Sequence, residues 1–512
     1  MPSKVGAAFP TGDINITFGA SLSGAPGHAT WLYGGTLSSA TSGRPMTVLR
    51  AQDAYGSAVM TTLDTRTGNV DQPHAIALTA MTGEDKLYVG FNSGFGCVAP
   101  GGRSATVDTS QNAKIAAPTL TTTTIEARDT ACQDGFAQVP AAHLDGTVYA
   151  AFIHDWSGSP RMVVVRDDNW GIGPTAFQAL TDPSDGKAGR FIAPAMTLPA
   201  GEMGQNRLGA SNVSIAVDPR DSDRVYVAWG DSGGPNSETI HVRRSLNRGV
   251  DWSTSDLLAV TNAMNPQIAI SDVGTVGVLY QQVVSGNWET HFVRTVDPDA
   301  SVFDTPGVLL AKQSASIPTA TFWPYIGDYA SLVAAGRNFV GMFSTSNYPD
   351  KANFLKGVKY QREVDWTTHK LYTNAAHTTE VAPSIDPFFF EAKWNICNVI
   401  PGVCNLCRQL HLCYPIYDPW WKFKCPQCDL QVLARPGEEV ENINLYDDRS
   451  RFVGRLVRLK EPVVVKGISY THGLTMKARE GTSYVLKAQT GRGAKLKDDF
   501  SPIYVVRKLT DG

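Results

Sequence analysis

The hexapeptide Arg224-Val-Tyr-Val-Ala-Trp229 is a short apolar run that closes on an aromatic side chain. The same pattern returns at Lys86–Phe91, Thr147–Phe152, Thr275–Tyr280 and Asn338–Phe343, at intervals of roughly 50 to 77 residues. Repeats of this size are typical of a β-propeller, in which each blade is a small sheet that buries its faces only against its neighbours. The pattern therefore predicts an all-β fold over the first three-quarters of the chain.

A second pattern follows the strand repeat where the outer strands of a blade should turn. Its clearest copy is Ser245–Trp252, which is close to the S-x-D-x-G-x-x-W turn known as the Asp-box, with Asn247 in place of the usual Asp. Asn247 can still bond to the turn backbone, and Gly249 can adopt a positive φ. Weaker copies lie at Ala51–Gly56, Thr106–Asp108, Arg166–Trp170, Thr295–Asp297 and Arg362–Trp366. Together the two patterns predict six four-stranded blades.

These motifs carry a resemblance to a known family. The chain from about residue 12 to 390 resembles the sialidase-like propellers built from BNR or Asp-box repeats, also in Val70–Pro73, Ile326–Leu332 and Ser384–Phe388. The resemblance implies a six-bladed propeller. It does not imply the activity, because one fold carries many unrelated sites.

The rest of the chain differs in composition. Five lysines precede residue 351 and fourteen lie from there on. We predict four regions: an N-terminal extension at 1–11, the propeller at 12–390, a cysteine-rich segment at 391–429 and a small antiparallel, Ig-like β-sandwich at 430–512. The sandwich is predicted from alternating strands such as Asn442–Tyr446 and Tyr484–Ala488.

Charge and hydropathy exclude some classes of partner. The 512 residues carry a net charge of -3 with 18% charged residues, so no basic surface for nucleic acid or an anionic membrane is expected. No apolar run is long enough to span a membrane, and the first ten residues lack the apolar core of a signal peptide. The family resemblance favours an extracellular or cell-surface or particle-surface location, while a cytoplasmic one and export by another route stay open.

Six of the eight cysteines lie between 397 and 428. Cys404 and Cys407 form one C-x-x-C pair, Cys425 and Cys428 form a second, and 17 residues separate the two pairs. This spacing lets four thiolates hold one structural Zn²⁺ in a zinc ribbon. An even cysteine number and the extracellular resemblance favour disulfides equally well. No catalytic cofactor is expected.

The heptapeptide Trp229–Pro235 contains GDSGGP, the sequence around the nucleophile of trypsin-like proteases. A histidine, His143, lies upstream. However, Trp229 closes a repeat strand, which places Ser232 in a loop at a blade end. The double barrel that such a protease needs is absent from the pattern, so we predict that Ser232 is not a nucleophile.

Polar residues open the predicted innermost strands and should line the central funnel. They are Asp71, Gln72, His74, Gln138, His143, Asn265, Gln267, Trp323, Tyr325 and Asp328. The family resemblance implies three arginines that grip a sialic acid carboxylate, and a Tyr activated by a Glu. No arginine is among these residues, so a sialidase is not expected. The weak catalytic candidates are Asp71, Asp328 and Tyr325, since a neutral-sugar hydrolase needs a carboxylate pair.

Two classes of function therefore stay open. In the favoured one, the propeller binds a glycan or protein at its funnel, or acts as a structural assembly module. It has no catalytic activity or only weak activity, and the C-terminal domain has its own assembly partner. In the other, it is a glycoside hydrolase that acts through funnel carboxylates. Many of the polar residues at strand starts are expected to satisfy buried turn amides instead of a ligand.

Overall fold

A computed structural model describes most of residues 11–392, the pair 3–4 and six strands between 429 and 508. The gaps within 11–392 are 20–30, 39–44, 55, 58, 81, 95–101, 129–134, 157, 194, 199–202, 204–211, 233–236, 296–301, 320–325 and 328. The chain forms two compact units, Met1–Lys393 and Trp394–Gly512. The sequence-predicted border of the propeller is Phe390.

The described residues are almost entirely β-strand and loop, as predicted, with one short 3-10 helix at Lys351–Asn353. No helix among them is long and apolar enough to cross a membrane. Six sheets follow one another along the first unit, and we number them 1 to 6 in chain order.

Sheet 1 contains β1 (Ser3–Lys4), β2 (Thr11–Phe18), β3 (Leu32–Ser38), β4 (Met46–Ala51) and β5 (Val59–Arg66). Sheet 2 contains β6 (Val70–Thr79), β7 (Asp85–Ser93), β8 (Ser104–Ser110) and β9 (Thr121–Thr124). Sheet 3 contains β10 (Gly135–Ala142), β11 (Val148–His154), β12 (Arg161–Asp167) and β13 (Arg190–Phe191). Sheets 2 and 3 run in chain order, whereas sheet 1 has the order β1-β5-β4-β3-β2. Among the described strands of these three sheets, β1 pairs with β5 in parallel and the other pairings are antiparallel.

The next three sheets also run in chain order. Sheet 4 contains β14 (Val213–Asp218), β15 (Asp221–Ser232), β16 (Glu238–Ser245) and β17 (Leu258–Thr261). Sheet 5 contains β18 (Ala263–Ile270), β19 (Val276–Val284), β20 (Asn287–Arg294) and β21 (Val308–Ser314). Sheet 6 contains β22 (Ser331–Ala335), β23 (Asn338–Ser346) and β27 (Ile385–Ala392). A separate small sheet between its last two strands contains β24 (Glu363–Asp365), β25 (Lys370–Tyr372) and β26 (Glu380–Val381).

The arrangement of these sheets is consistent with a propeller. We call one edge strand of each sheet its first strand; in chain order these are β2, β6, β10, β14, β18 and β22. The first strand of each sheet lies against the first strand of the next. Sheets 2 to 5 have the predicted four strands, whereas sheet 1 gains β1 and sheet 6 has three. Apolar clusters fill the spaces between neighbouring sheets, such as the one that joins Tyr226 and Ile240 of sheet 4 to Val278 of sheet 5.

The five repeated hexapeptides lie in β7, β11, β15, β19 and β23, which are the second strands of sheets 2 to 6. A second strand is flanked on both edges and covered on both faces, so nearly every residue of β11 is buried. Such a strand reads as a continuous apolar run. The prediction that these segments are equivalent strands is confirmed.

The Asp-box-like turn joins the third and fourth strands of sheet 4. Ser245 Oγ accepts hydrogen bonds from the backbone N–H of Asn247 and Gly249, at 3.3 and 2.9 Å. Asn247 Oδ1 accepts from the Asp251 N–H at 2.9 Å, and Trp252 Nε1 donates to the Gly249 carbonyl at 3.0 Å. Gly249 has φ +79°, as this turn requires.

One of the weaker turn predictions is wrong. Thr106–Asp108 lies inside β8, where Asp108 accepts hydrogen bonds from Thr122 and Arg66. Arg362–Trp366 contains the strand β24 and the start of the turn that follows it, where Asp365 Oδ1 accepts from the N–H groups of Thr367 and Thr368. Polar residues that alternate along a strand resemble a turn in sequence, because both patterns are rich in Asp and Thr.

The described residues of the second unit form six strands of one antiparallel sheet, in the order β32-β29-β30-β31-β28-β33. They are β28 (Asp429–Ala434), β29 (Asn442–Asp447), β30 (Phe452–Val465), β31 (Ile468–Lys477), β32 (Tyr484–Gln489) and β33 (Tyr504–Lys508). The predicted strands from 442 to 488 are present, and the sandwich topology stays a prediction.

Candidate functional site

The first strands of sheets 1 and 2 run in the same direction. The Asn15 Oδ1 atom accepts from the Ala75 N–H at 2.9 Å, and Thr17 Oγ1 accepts from the Ala77 N–H at 3.2 Å. Ser214 of sheet 4 accepts in the same way from the Ile268 N–H of sheet 5. A first strand is a sheet edge with unpaired N–H groups, and side chains of the preceding sheet satisfy some of them. We call the end at which the first strands begin the mouth.

The first strands of sheets 2 and 5 carry the same irregularity near the mouth. Their registers shift between Asp71 and His74 and between Met264 and Gln267. Gln72 and Asn265 occupy the two bulges with φ of 54° and 55°, and a proline follows each of them. Asn tolerates this left-handed conformation better than most residues, and bulges often re-aim a side chain.

Hydrogen bonds fix the orientation of the Asn265 amide. Gln281 Nε2 donates to the Ser344 carbonyl at 2.9 Å, so Gln281 Oε1 is the atom that accepts from Asn265 Nδ2, also at 2.9 Å. Asn265 Oδ1 is buried and has no hydrogen-bond partner among the described residues. The same holds for Asn212 of sheet 4, whose Nδ2 donates to the Gly230 carbonyl at 2.8 Å.

Gln138 joins two sheets. Its Nε2 atom donates to Asn92 Oδ1 of sheet 2 at 3.0 Å. The backbone packs tightly here, because a Cβ atom at Gly90 would overlap the Gln138 carbonyl. Gln267 is satisfied locally, with Nε2 donating to the Pro266 carbonyl at 2.7 Å. These two amides therefore have structural hydrogen bonds, as expected for many polar residues at strand starts.

The charged groups at this part of the mouth are paired with one another. Asp71 forms an ion pair with Arg103, and Arg103 Nε also donates to Asn69 Oδ1 at 2.8 Å. This arginine is not among the residues predicted from the sequence, because those residues come from the starts of first strands. Arg103 precedes β8, a third strand, and third strands of an antiparallel sheet also begin at the mouth. The alternation of strand direction in each sheet is therefore the signal that would have placed Arg103 at the mouth.

A small cavity of about 10 Å³ lies between sheets 5 and 6. Its walls include Trp288 and Gln313 of sheet 5, Thr345 of sheet 6 and Ile326, which belongs to the predicted segment Trp323–Tyr329. Trp288 Nε1 and both polar atoms of the Gln313 amide are buried without a partner in the described part of the chain. The space is about that of one water molecule or one hydroxyl group.

One predicted aromatic segment can be followed only in part. Trp323, Tyr325 and Asp328 lie outside the described residues, so their predicted roles stay predictions. Tyr329, next in the chain, stacks on His74 of sheet 2 with ring centroids 5.6 Å apart and planes at 25°. The segment before sheet 6 therefore reaches the start of sheet 2 across the mouth.

His143 lies away from the other predicted site residues. It follows β10 in the hairpin at the end opposite to the mouth, where its Nε2 atom lies 3.2 Å from the Pro219 carbonyl and its Nδ1 atom lies 2.9 Å from Asp145. Ser222 also donates a hydrogen bond to Asp145. Burial raises the pKa of the Asp145 carboxyl, but the hydrogen bonds to it have the larger effect and lower this pKa. Four strand residues separate Gln138 from His143, which lies beyond the end of β10 opposite to the mouth, so the two cannot share a ligand at the mouth.

Ser232 is the last residue of β15 and not a loop residue as predicted. It is buried and pairs in register with Glu238. His143 lies at the opposite end of the neighbouring sheet, so the pairing that a serine protease needs is absent. The Glu238 carboxyl is fully buried without a hydrogen-bond partner in the described residues, and burial raises its pKa.

A charged cluster lies next to Glu238. His241 bonds through Nδ1 to Asp256 at 2.8 Å and through Nε2 to Asp231 at 3.0 Å. Arg243 Nε donates to the second oxygen of Asp256 at 2.8 Å, and the Trp229 ring stacks on His241. Burial alone would lower the pKa of His241, but the two carboxylates raise it to about 9.

The predicted zinc or disulfide cysteines Cys404, Cys407, Cys425 and Cys428 lie outside the described residues. Within the described ranges, no group of three or more His, Cys, Asp and Glu side chains is arranged to hold a metal ion.

Comparison with known proteins assigns no family. No family model and no curated protein matches the chain. Among solved structures, it is similar to a GH93 α-L-arabinofuranosidase of Fusarium graminearum with arabinobiose, at 11% identity and a TM-score of 0.35 over 75% of this chain and 96% of that one. It is also similar to an α-L-arabinanase of Penicillium chrysogenum complexed with arabinobiose, at 10% identity and a TM-score of 0.36 over 73% and 93%.

A microbial sialidase is a further structural relative, at 14% identity and a TM-score of 0.32 over 62% of this chain and 61% of that one. Similarities this low carry no activity to the chain. The resemblance to sialidase-like propellers stays a prediction from the sequence motifs.

Proposed function

We propose that the chain is a glycan-binding module that holds neutral sugar hydroxyls at the mouth. The supporting observation is a contrast between charged and neutral groups there. Asp71 and Arg103 neutralise one another, while the Trp288 indole N–H, the Gln313 amide and the Asn265 carbonyl oxygen lack partners in the described residues.

A hydroxyl group is the ligand that such a set of atoms suits. It donates one hydrogen bond and accepts up to two, and Gln313 with Trp288 offers an acceptor and donors around a space of matching size. Buried polar groups left without partners cost about 1–3 kcal/mol each, so a ligand that satisfies them gains that amount on binding. Neutral groups also desolvate at lower cost than charges.

Sialic acid fits this arrangement poorly. Its carboxylate needs an unpaired cation, preferably a planar arginine that binds both oxygens. Arg103, the arginine that contacts the predicted site residues in the described part of the chain, is already held by Asp71 and Asn69. Proteins that bind through neutral contacts alone would be insensitive to salt, which is a further expectation for this chain.

A glycoside hydrolase is the second candidate, and Glu238 is the observation that favours it. A hydrolase of this type needs one carboxyl that is protonated near neutral pH and another that is ionised. Burial without a partner raises the pKa of Glu238, as the acid would require. The predicted carboxylates Asp71 and Asp328 would then be candidates for the second role.

The test is a neutral-glycan array together with a panel of chromogenic glycosides, both run on the full chain. Gln313→Leu and Trp288→Phe remove hydrogen bonds while keeping side-chain volume close to the original, and each should weaken glycan binding at least tenfold. Gln178→Leu makes the same chemical change at an exposed site away from the mouth and should bind normally. Glycoside release that Glu238→Gln abolishes would instead establish the hydrolase, and retention of only sialylated glycans would refute the proposal.

A further inference from the structure

An arginine without an ion-pair partner lies at the mouth, on the side of sheet 3 that faces sheet 2. Arg161 is the first residue of β12, a third strand, and third strands begin at the mouth. No described residue forms a hydrogen bond or ion pair with its guanidinium, and its nitrogens are not buried. Two arginines of the neighbouring sheets are held by carboxylates: Arg128 by Asp185 at 2.7 Å and Arg243 by Asp256 at 2.8 Å. Arg161 therefore has N–H donors available for a ligand.

An aromatic ring orients this guanidinium. Its central carbon lies 4.6 Å from the ring centroid of Phe191, the last residue of β13, which packs against the apolar cluster shared by sheets 2 and 3. Arg128 lies 4.1 Å from the same ring centroid. Stacking on an aromatic face holds the guanidinium plane without using its N–H groups. Because Asp185 already pairs with Arg128, Arg161 is the cation of the two that is free to bind an anion.

A histidine lies beside Arg161 on the same face of sheet 3. His154 ends β11 and pairs directly with Arg161 across the hairpin, and the Cβ atoms of directly paired residues lie about 4.5–5.5 Å apart. The Nδ1 atom of His154 lies 2.7 Å from Glu126 Oε2. An ionised carboxylate only accepts hydrogen bonds, so Nδ1 carries the proton that joins this pair. The Nε2 atom makes no hydrogen bond in the described part of the chain, and it can accept one from a ligand.

Glu126 supports His154 and does not neutralise Arg161. Its side chain is 1% exposed, and its second carboxylate oxygen accepts from the Arg128 backbone N–H at 2.7 Å. Both oxygens are thus used within the protein. The bond to Nδ1 fixes the orientation of the imidazole ring and leaves Nε2 as the nitrogen that faces a ligand.

We propose that Arg161 and His154 bind a uronate, an acidic sugar whose carboxylate lies on the guanidinium and whose neighbouring hydroxyl donates to His154 Nε2. The guanidinium can donate two parallel hydrogen bonds to a carboxylate, and the imidazole nitrogen is the acceptor that the hydroxyl needs. A linked sialic acid lacks this hydroxyl, because the ring carbon next to its carboxylate-bearing carbon is a methylene. The uronate site lies at sheets 2 and 3, whereas the neutral cavity lies between sheets 5 and 6, so neither proposal depends on the other.

The first test is calorimetric titration of the full chain with galacturonate and, as a carboxylate without the hydroxyl, acetate. We expect galacturonate to bind at least about fivefold more tightly than acetate. Arg161→Gln should weaken galacturonate binding at least about tenfold, and Arg161→Lys should weaken it severalfold, because lysine keeps the charge but lacks the planar fork. Arg362→Gln is the matched control, since Arg362 is an exposed arginine between β23 and β24, and this variant should bind normally.

Three results of this titration would overturn the proposal. They are no binding of galacturonate by the unchanged chain, equal binding by the unchanged chain and Arg161→Gln, and lactate binding as tightly as galacturonate, which would make a small hydroxy acid the ligand. Tighter binding of a galacturonate trimer than of the monomer would support a polysaccharide end as the source of the uronate. Circular dichroism of each variant separates a loss of binding from a loss of folding.

The second test isolates the hydroxyl contact. In His154→Asn the amide N–H can replace Nδ1 as the donor to Glu126, whereas nothing replaces Nε2. Galacturonate should then lose its advantage over acetate, while acetate binding through Arg161 should stay within about twofold. A galacturonate analogue without the neighbouring hydroxyl, titrated into the unchanged chain, should show the same loss and does not depend on how the variant folds. An advantage over acetate that persists for this analogue would show that the hydroxyl contact is absent and the proposal wrong.

Discussion

At the scale of single residues, His241 links the stability of sheet 4 to pH. It is held between Asp231 and Asp256, and its pKa is raised to about 9 from an ordinary value near 6.5. The folded state thus holds the imidazolium proton more tightly than the unfolded chain. This contribution is complete below about pH 6.5 and is lost as the pH rises to 9.

We expect His241→Gln to flatten the pH dependence of stability in that window. The unchanged chain should lose up to about 3 kcal/mol of its unfolding free energy between pH 6.5 and 9, and the variant should lose much less. Denaturant unfolding at the two pH values measures this difference. His377→Gln, a change at an exposed histidine of the small β24–β26 sheet, is the control and should behave like the unchanged chain.

Gly90 shows how closely the first strands approach the sheets beside them. An added Cβ atom would overlap the Gln138 carbonyl, and backbone cannot move aside as a flexible side chain can. We expect Gly90→Ala to destabilise the protein by roughly 1–3 kcal/mol, as overpacking usually does. Gly34→Ala is a graded control, because its nearest neighbour would be 3.1 Å away, and equal losses for both variants would contradict this reading of Gly90.

The sequence located some site residues and missed others for a definite reason. It identified Asn265 and Gln72, since polar residues that open a first strand stand out before an apolar run. Arg103 and Glu238 were missed because they open third strands, which reach the mouth only through the antiparallel alternation of each sheet. The Asp71–Arg103 pair is harder to predict than either residue, because the partners are 32 residues apart and lie at the starts of different strands.

At the scale of elements, second strands were the most predictable part of the fold. The central residues of β7, β11 and β15 are buried on both faces, so each strand contains a short, largely apolar run that closes on an aromatic residue. Outer strands such as β9 and β13 are short and partly exposed, and they leave little pattern to detect. The three-stranded form of sheet 6 could not be predicted either, because β24 to β26 lie between two of its strands in sequence.

The contacts of Asn247 explain why the Asp-box-like turn has Asn where the usual motif has Asp. Asn247 Nδ2 donates to the Asp251 carboxylate at 2.8 Å, so an Asp at 247 would place two negative charges together. We expect Asn247→Asp to lower the unfolding free energy by about 0.5–1 kcal/mol, a small loss because the pair is exposed. The double change Asn247→Asp with Asp251→Asn should restore it. Urea unfolding of the unchanged chain and the two variants checks this, and a loss that persists in the double variant would contradict the explanation.

At the scale of the whole molecule, several charged groups at the mouth are paired with one another, whereas several buried neutral groups there have no partner among the described residues. Arg103 and Arg243 are held in ion pairs, and the buried amides of Asn265 and Gln313 have polar atoms without a partner among the described residues. If the proposed binding is neutral, the dissociation constant should change less than twofold between about 0.05 and 0.5 M salt. Titration calorimetry with a glycan found on the array measures this, and a steep loss of affinity with salt would indicate that charged groups carry the binding.

The last prediction concerns the cysteine-rich segment. Zinc or disulfide bonds are expected to stabilise this segment, because its sequence offers few apolar residues to form a core. If Cys404, Cys407, Cys425 and Cys428 hold zinc, metal analysis of the intact chain should find about one Zn²⁺, and four additional thiols should react after denaturation with a chelator but no reductant. If they form disulfides, no zinc should be found, and these thiols should react only after reduction. Alkylation followed by intact-mass measurement distinguishes the two states, with a Cys97→Ser variant as a control for cysteines outside the segment. Four reactive thiols without chelator, reductant or metal would contradict both alternatives.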